Sequence, residues 1–241
     1  MIPTIVVTGD GEAPMGPTLA LNLAVAFSAL GCAVELCDEE SPALASAPLR
    51  DARISGGDAA DGERCVLLRP GARLGLPVAD SSATASPARL RIVSCAVNRA
   101  VSDPWLRRPV RVVVPVDASQ RSRRALDAIA SLLDAPAGDW PGPPPTLTVI
   151  LSRLLPRGAD RWALVEGLED RFAQRVCDVT LPMGRARGPA RPASGATLYA
   201  PTGGAARAYR AVARLLAGGL GVALRDSKVG RAGAASSASD A

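Results

Sequence analysis

Short apolar runs alternate along this chain with stretches whose apolar positions recur at helical spacing. Thr4-Ile5-Val6-Val7-Thr8 is β-branched and apolar without alternation, the pattern of a parallel strand buried on both faces. Gly9 to Pro17 reads as a loop from its Gly and Pro content. Thr18 to Leu30 is apolar nearly all round, so a helix there must be sealed against a sheet. Gly31 is placed to serve as its C′ residue. Ala33 to Cys37 is the next strand, with Asp38 at its carboxyl end, where open α/β sheets bind ligands.

Residues 41–63 are rich in Ala, Ser, Gly and Asp and carry little periodicity. Further strands are expected at Cys65–Leu68, Leu90–Val97, Arg111–Val116, Thr146–Leu151 and Val176–Leu181. Helical spacing recurs over Gln120–Leu133, Ala159–Gln174 and Thr202–Leu216. Residues 79–88 form a polar loop, Ala135 to Pro145 a Pro/Gly linker, and the tail from Asp226 a disordered end. Alternating strands and helices predict an α/β fold, a three-layer sandwich around a mostly parallel sheet. One domain is expected over residues 1–225, followed by a tail over 226–241.

Composition narrows the function classes. The 241 residues suffice for one sizeable core. Aromatics are only 3%, so Leu, Val, Ile and Ala must fill it. No apolar run reaches the roughly 18 residues of a membrane span, and the N-terminus lacks a basic leader, so a cytoplasmic location is expected. Five dispersed cysteines, at 32, 37, 65, 95 and 177, suit reduced thiols, with Cys37 and Cys177 as small core residues. The chain has no His, which excludes Ser-His-Asp and Cys-His catalysis and His-based metal sites. Gly9-Asp10-Gly11 could open a dinucleotide fingerprint, but no third Gly follows at the needed spacing.

Several segments, taken in order, point to one family. They are Ala20-Leu21-Asn22-Leu23-Ala24, Ala29-Leu30-Gly31 and Val34 to Asp38 near the start, and Val114-Pro115-Val116 at mid-chain. Leu181-Pro182, Gly195 to Pro201 and the helix Gly204 to Ala213 follow near the end. The set resembles the ParA/MinD family of P-loop ATPases over roughly residues 3–217. The resemblance implies a P-loop NTPase fold of the SIMIBI/ParA type, ATP with Mg²⁺ as ligand, and a role in partition or positioning in a bacterial cell.

The phosphate loop departs from that family. A P-loop wraps phosphates with backbone N–H groups, a Lys reaches the β/γ-phosphates, and a Ser or Thr holds Mg²⁺. Counting back from Asn22 puts the family's catalytic Lys at Gly16 and its dimer-crossing Lys at Gly11; a one-residue deletion puts the first at Pro17. Either way the chain has no Lys before residue 228. Pro14 and Pro17 each remove a backbone donor, while Asp10 and Glu12 place negative charge where phosphates would sit. A lost charge-assisted hydrogen bond is worth roughly 10- to 150-fold in binding, and more in a transition state. The family's carboxylate at the end of a later strand is absent from Ile92-Val93-Ser94-Cys95, and its adenine-side Asn is replaced by Ser152 or Arg153. Gly9, Gly11, Gly16, Thr18 and Asp38 remain as vestigial nucleotide-binding candidates. Against those roles, Thr18 can be an ordinary first-turn residue and Asp38 a solvated strand end.

Charge is uneven. Residues 1–90 hold 6 Arg against 11 acids, whereas residues 91–241 hold 22 basic residues against 12 acids. Arg121, Arg123 and Arg124 open the helix after Val116 and are candidate DNA or partner contacts. A solvated helix face, or a genome that writes Arg for Lys, explains them as well. Tyr209 to Leu224 is basic and apolar together, like the membrane-targeting tail of MinD-type proteins, but Gly218, Gly219 and Gly221 interrupt it, and docking on the sheet is expected. The expectation is a non-hydrolysing scaffold or regulatory protein with no resident cofactor. Its partner would be a second copy, a ParA/MinD-type protein or a polar apparatus. The alternatives are an atypical ATP-binding ATPase and a nonspecific DNA-binding protein.

Overall fold

A computed structural model describes residues 2–9, 15–38, 65–68, 90–97, 110–117, 119–134, 145–152, 159–181 and 204–224. The expected irregular stretches at 41–63 and 79–88, the linker up to residue 144, and the tail over 226–241 lie outside them. The elements run β1 (Thr4–Gly9), α1 (Met15–Ala29), β2 (Val34–Asp38), β3 (Cys65–Leu68), β4 (Leu90–Ala96) and β5 (Val110–Val116). Then come α2 (Gln120–Leu133), β6 (Thr146–Ser152), α3 (Ala159–Phe172), a 3-10 turn (Ala173–Arg175), β7 (Val176–Leu181) and α4 (Gly204–Leu220).

The seven strands among the described residues form one sheet in the order β3-β2-β4-β1-β5-β6-β7. Six strands are parallel, and β3 closes one edge antiparallel to β2. Strand β1 sits near the middle with all six residues buried, as its unbroken apolar run requires. Successive side chains alternate between faces. Ile5 and Val7 join α1 and α4 in one apolar layer, while Val6, Val112 and Val114 meet α2 and α3 in the other. The expected α/β sandwich with a mostly parallel sheet is therefore present.

Helix α1 is the most enclosed of the described helices: Leu19, Ala20, Leu23, Ala24 and Phe27 have no exposed surface. It ends as expected at Gly31, whose φ is +81°. Gly31 N donates to Ser28 O and Cys32 N to Phe27 O, each at 3.0 Å, which satisfies the last carbonyls of the helix. Its start differs from expectation. The helix begins at Met15, so Gly16 and Pro17 belong to its first turn rather than to the loop. First-turn N–H groups have no intrahelical acceptor, so Pro17 removes no helix hydrogen bond.

Helix α4 also outruns its expected end at Leu216. It continues through Gly218 and Gly219 to Leu220 and stops at Gly221, whose φ is +64°. Packing overrides the weak helix propensity of glycine here: Val212, Ala213, Leu216 and Ala217 are buried in the layer shared with α1. Docking of this segment is thus observed. Among the described residues no helix is long and apolar enough to cross a membrane.

Cys37 corrects the reading of reduced thiols: it carries a disulfide. Its Cα partner across the antiparallel β2–β3 ladder is Cys65, and opposed residues in such a ladder fall within disulfide reach. Cys32, Cys95 and Cys177 are buried and hold no disulfide.

Tyr209 lies in α4 with no exposed surface, and burial pushes its phenol well above its ordinary range. An unfolded Tyr ionises near pH about 10. Above that pH the unfolded chain sheds a proton that folded Tyr209 keeps, so the native state loses stability as pH rises. Tyr209→Phe is expected to flatten the fall in unfolding free energy between about pH 10 and 11.5, by about 1.4 kcal/mol per unit at most. Denaturant titrations at stepped pH measure it, and an unchanged slope would contradict the assignment.

Candidate functional site

In an open α/β sheet, ligands bind beyond the carboxyl ends of strands where successive connections diverge. Here the divergence lies between β1 and β5. The chain leaves β1 through α1 over one face, towards β2; it leaves β5 through α2 over the other face, towards β6. The carboxyl edge at Gly9 and Val116 is therefore the candidate site.

Strand β1 ends at buried Gly9. A Cβ added to Gly9 would sit 3.8 Å from Gly16 N, an ordinary van der Waals separation. The two ends of the connecting loop thus meet, and among the described residues neither crowding nor a positive φ forces glycine at Gly9. Gly16 and Pro17 are buried in the first turn of α1, and Thr18 is half-buried there. A helix N-terminus offers its free N–H groups and the positive end of its dipole to anions. Pro17 withdraws one of those donors. Gly11, with Asp10, Glu12 and Pro14, lies outside the described residues.

Asp38 ends β2, where its Cα partner on β4 is Ser94. Ser94 in turn pairs with Val7 of β1. Asp38 therefore stands two strands from β1, about 10 Å away at ordinary strand spacing. Ser94 lies in Ile92-Val93-Ser94-Cys95, the run of β4 that carries no carboxylate. It is fully buried, and its Oγ has no hydrogen-bond partner among the described residues. Thr8 Oγ1 is in the same state on the opposite face. Each such orphan costs about 1–3 kcal/mol, so a buried neutral hydroxyl stands at Ser94 where an anion would need a cation beside it. No cluster of three or more metal-ligating side chains occurs among the described residues.

Beyond β5 the backbone turns into α2 through a polar network that the sequence reading passed over. Ser119 is the N-cap, with φ −72° and ψ 147°, and its hydroxyl accepts from Ser122 N at 3.2 Å. Asp117 Oδ1 accepts from Ser119 N and from Ser122 Oγ, both at 2.8 Å. The signal was available: Asp-Ala-Ser-Gln-Arg-Ser before an amphipathic run holds both a cap residue and an Asx turn. The network fixes the first turn of α2, from which Arg121, Arg123 and Arg124 project, all exposed. No acidic residue occupies that turn. Cations at a helix N-terminus oppose its dipole, and the Asp117 carboxylate beside Ser119 and Ser122 is placed to offset them.

The structure thus brings Gly9, Gly16, Thr18, Asp38 and the three arginines to one edge of the sheet. That edge gathers first-turn backbone donors, the half-buried Thr18 and charges of both signs, without a lysine. Ser152 ends β6 and Arg153 lies outside the described residues. No protein-family model matches the chain, and no curated protein matches it in sequence.

Proposed function

We propose that this chain is a ParA/MinD-like protein of the P-loop fold that has given up nucleotide hydrolysis and acts as a scaffold or regulatory partner in positioning or partition. The observation that carries the reading is the carboxyl edge around β1. A strand, a returning helix and the switch point meet there, yet Pro17 sits in the first helical turn, Ile92-Val93-Ser94-Cys95 carries no carboxylate, and no Lys precedes residue 228. The fold's surfaces then supply the function. A second copy or a ParA/MinD-type protein is the proposed partner, and Trp162, 73% exposed on α3, gives it an aromatic anchor. Isothermal calorimetry of the folded chain with ATP and Mg²⁺ is expected to show no binding heat at millimolar nucleotide. Micromolar binding would overturn the reading and favour the atypical ATPase.

The exposed arginines on the first turn of α2 favour a second reading, nonspecific DNA binding. Retention on duplex DNA should then fall steeply with salt and be lost on replacing Arg121, Arg123 and Arg124 by Ala. Retention that survives this replacement removes the helix from the DNA reading.

A further inference from the structure

At the other end of the sheet, the amino ends of β5, β6 and β7 border a cleft of about 480 Å³, within the size range of small-molecule sites. Arg111, Thr146, Thr148, Gln174 and Arg175 give it polar lining, and Leu133, Leu147 and Leu215 an apolar wall.

Arg111 is the unusual member. It interrupts the valine run of β5 on the face packed by α1 and α4. A guanidinium stays charged at any accessible pH, and partial burial lowers the pKa of Arg111 without neutralising it. A cation so placed ordinarily meets a carboxylate, but none pairs with Arg111 among the described residues. Its Nη1 donates to the neutral Thr148 Oγ1 at 3.2 Å, and its buried Nε has no acceptor.

The chain makes room for this charge. Gly219 is the penultimate residue of α4, and a Cβ there would lie 2.6 Å from Arg111 Cζ and closer still to Nη2. Glycine is a poor helix residue, yet α4 carries one where the guanidinium lies. The negative end of the α4 dipole steadies the cation but leaves its Nε unsatisfied. Arg175 brings a second cation to the cleft. Its ion pair with Asp134 is long, at 3.7 Å, between side chains that are about half exposed, and such pairs exchange easily.

We propose that this cleft binds an organic oxyanion, a carboxylate or phosphate monoester carrying a short apolar body. Arg111 and Arg175 take the head, since guanidinium forks match both head geometries. Leu133, Leu147 and Leu215 take the body. The site is independent of the carboxyl edge and of any nucleotide.

The test is an NMR titration of the full chain with hexyl phosphate, hexanoate and neutral hexanol, reading the amides of Thr146, Thr148 and Val176. One or both anions are expected to give saturable shifts at roughly millimolar concentration, and hexanol none. A preference for hexyl phosphate marks a phosphate ester as the ligand class; a preference for hexanoate marks a carboxylate. Arg111→Met is expected to weaken binding about 10-fold or more. Gly219→Ala keeps every charge and displaces the flexible guanidinium, so it should weaken binding comparably in a folded chain. Arg175→Gln should weaken it about threefold or more. Should Arg111→Met not fold, the other two variants decide. Absence of saturable shifts, equal shifts with hexanol, or unchanged affinity in both Gly219→Ala and Arg175→Gln would overturn the proposal.

Discussion

Phe27→Ala is expected to lower the unfolding free energy by about 3–5 kcal/mol. Phe27 is fully buried in the layer where α1 meets α4 and the sheet. Removing its ring forfeits the transfer energy of the ring and leaves a void that close-packed neighbours fill only in part. Its backbone carbonyl also anchors the turn at Gly31 by accepting from Cys32 N, and that bond survives the substitution, so the loss isolates packing. Folded domains hold only about 5–15 kcal/mol in total, so the variant should be near the limit of folding at 37 °C. Phe27→Leu, which keeps most of the volume, should cost less than half as much. Guanidinium denaturation with an unchanged slope measures both. A loss under 1 kcal/mol in the alanine variant would mean that α1 is not sealed as described.

Asp117→Ala is expected to cost about 2 kcal/mol, the scale of one to two hydrogen bonds to a charged acceptor. The carboxylate holds Ser119 N and Ser122 Oγ at 2.8 Å each. It is also the negative charge placed to offset the positive end of α2, where three arginines crowd. Without it, Ser122 Oγ still has the carbonyls of Asp117 and Ser119 within reach at 3.1 Å, which limits the loss. Asp117→Asn keeps an acceptor and should lose about half as much. Amide exchange should show faster opening of the first turn of α2 than of its last turn. Equal opening along the helix would place the role of Asp117 elsewhere.

Much of the fold was legible because the strands of a doubly covered sheet are unbroken apolar runs, and those at Thr4, Arg111 and Thr146 stand out from their polar flanks. Helix limits were less legible where glycine or proline stood near an end. By Gly and Pro content Pro17 reads as loop, but it falls in the first turn, where no bond is lost. Gly218 and Gly219 read as a break, but the buried face of α4 outweighs their propensity. Of the site, the positions at strand ends were legible from the parallel pattern alone. The Asp117 network carried a local signature and was passed over. The Arg111 cleft had no local signature. An arginine in a valine run gains its meaning only from Thr148 across the ladder and from Gly219 on the last helix, both distant in sequence.

The position of β1 in the sheet bears on how the chain is made. Its first residue, Thr4, pairs with Arg91 on one side and Val110 on the other. A nascent chain that has just released this strand and α1 therefore carries two of its most apolar segments with no sheet to bury them. At about 5–20 residues per second, the first partner strand follows roughly 3–13 s later. For that interval the amino-terminal region is a client for whatever shields apolar chain at the ribosome exit. Truncated products ending before Leu90 should be the species that aggregate, even though they contain the whole of the loop and helix that define the carboxyl edge.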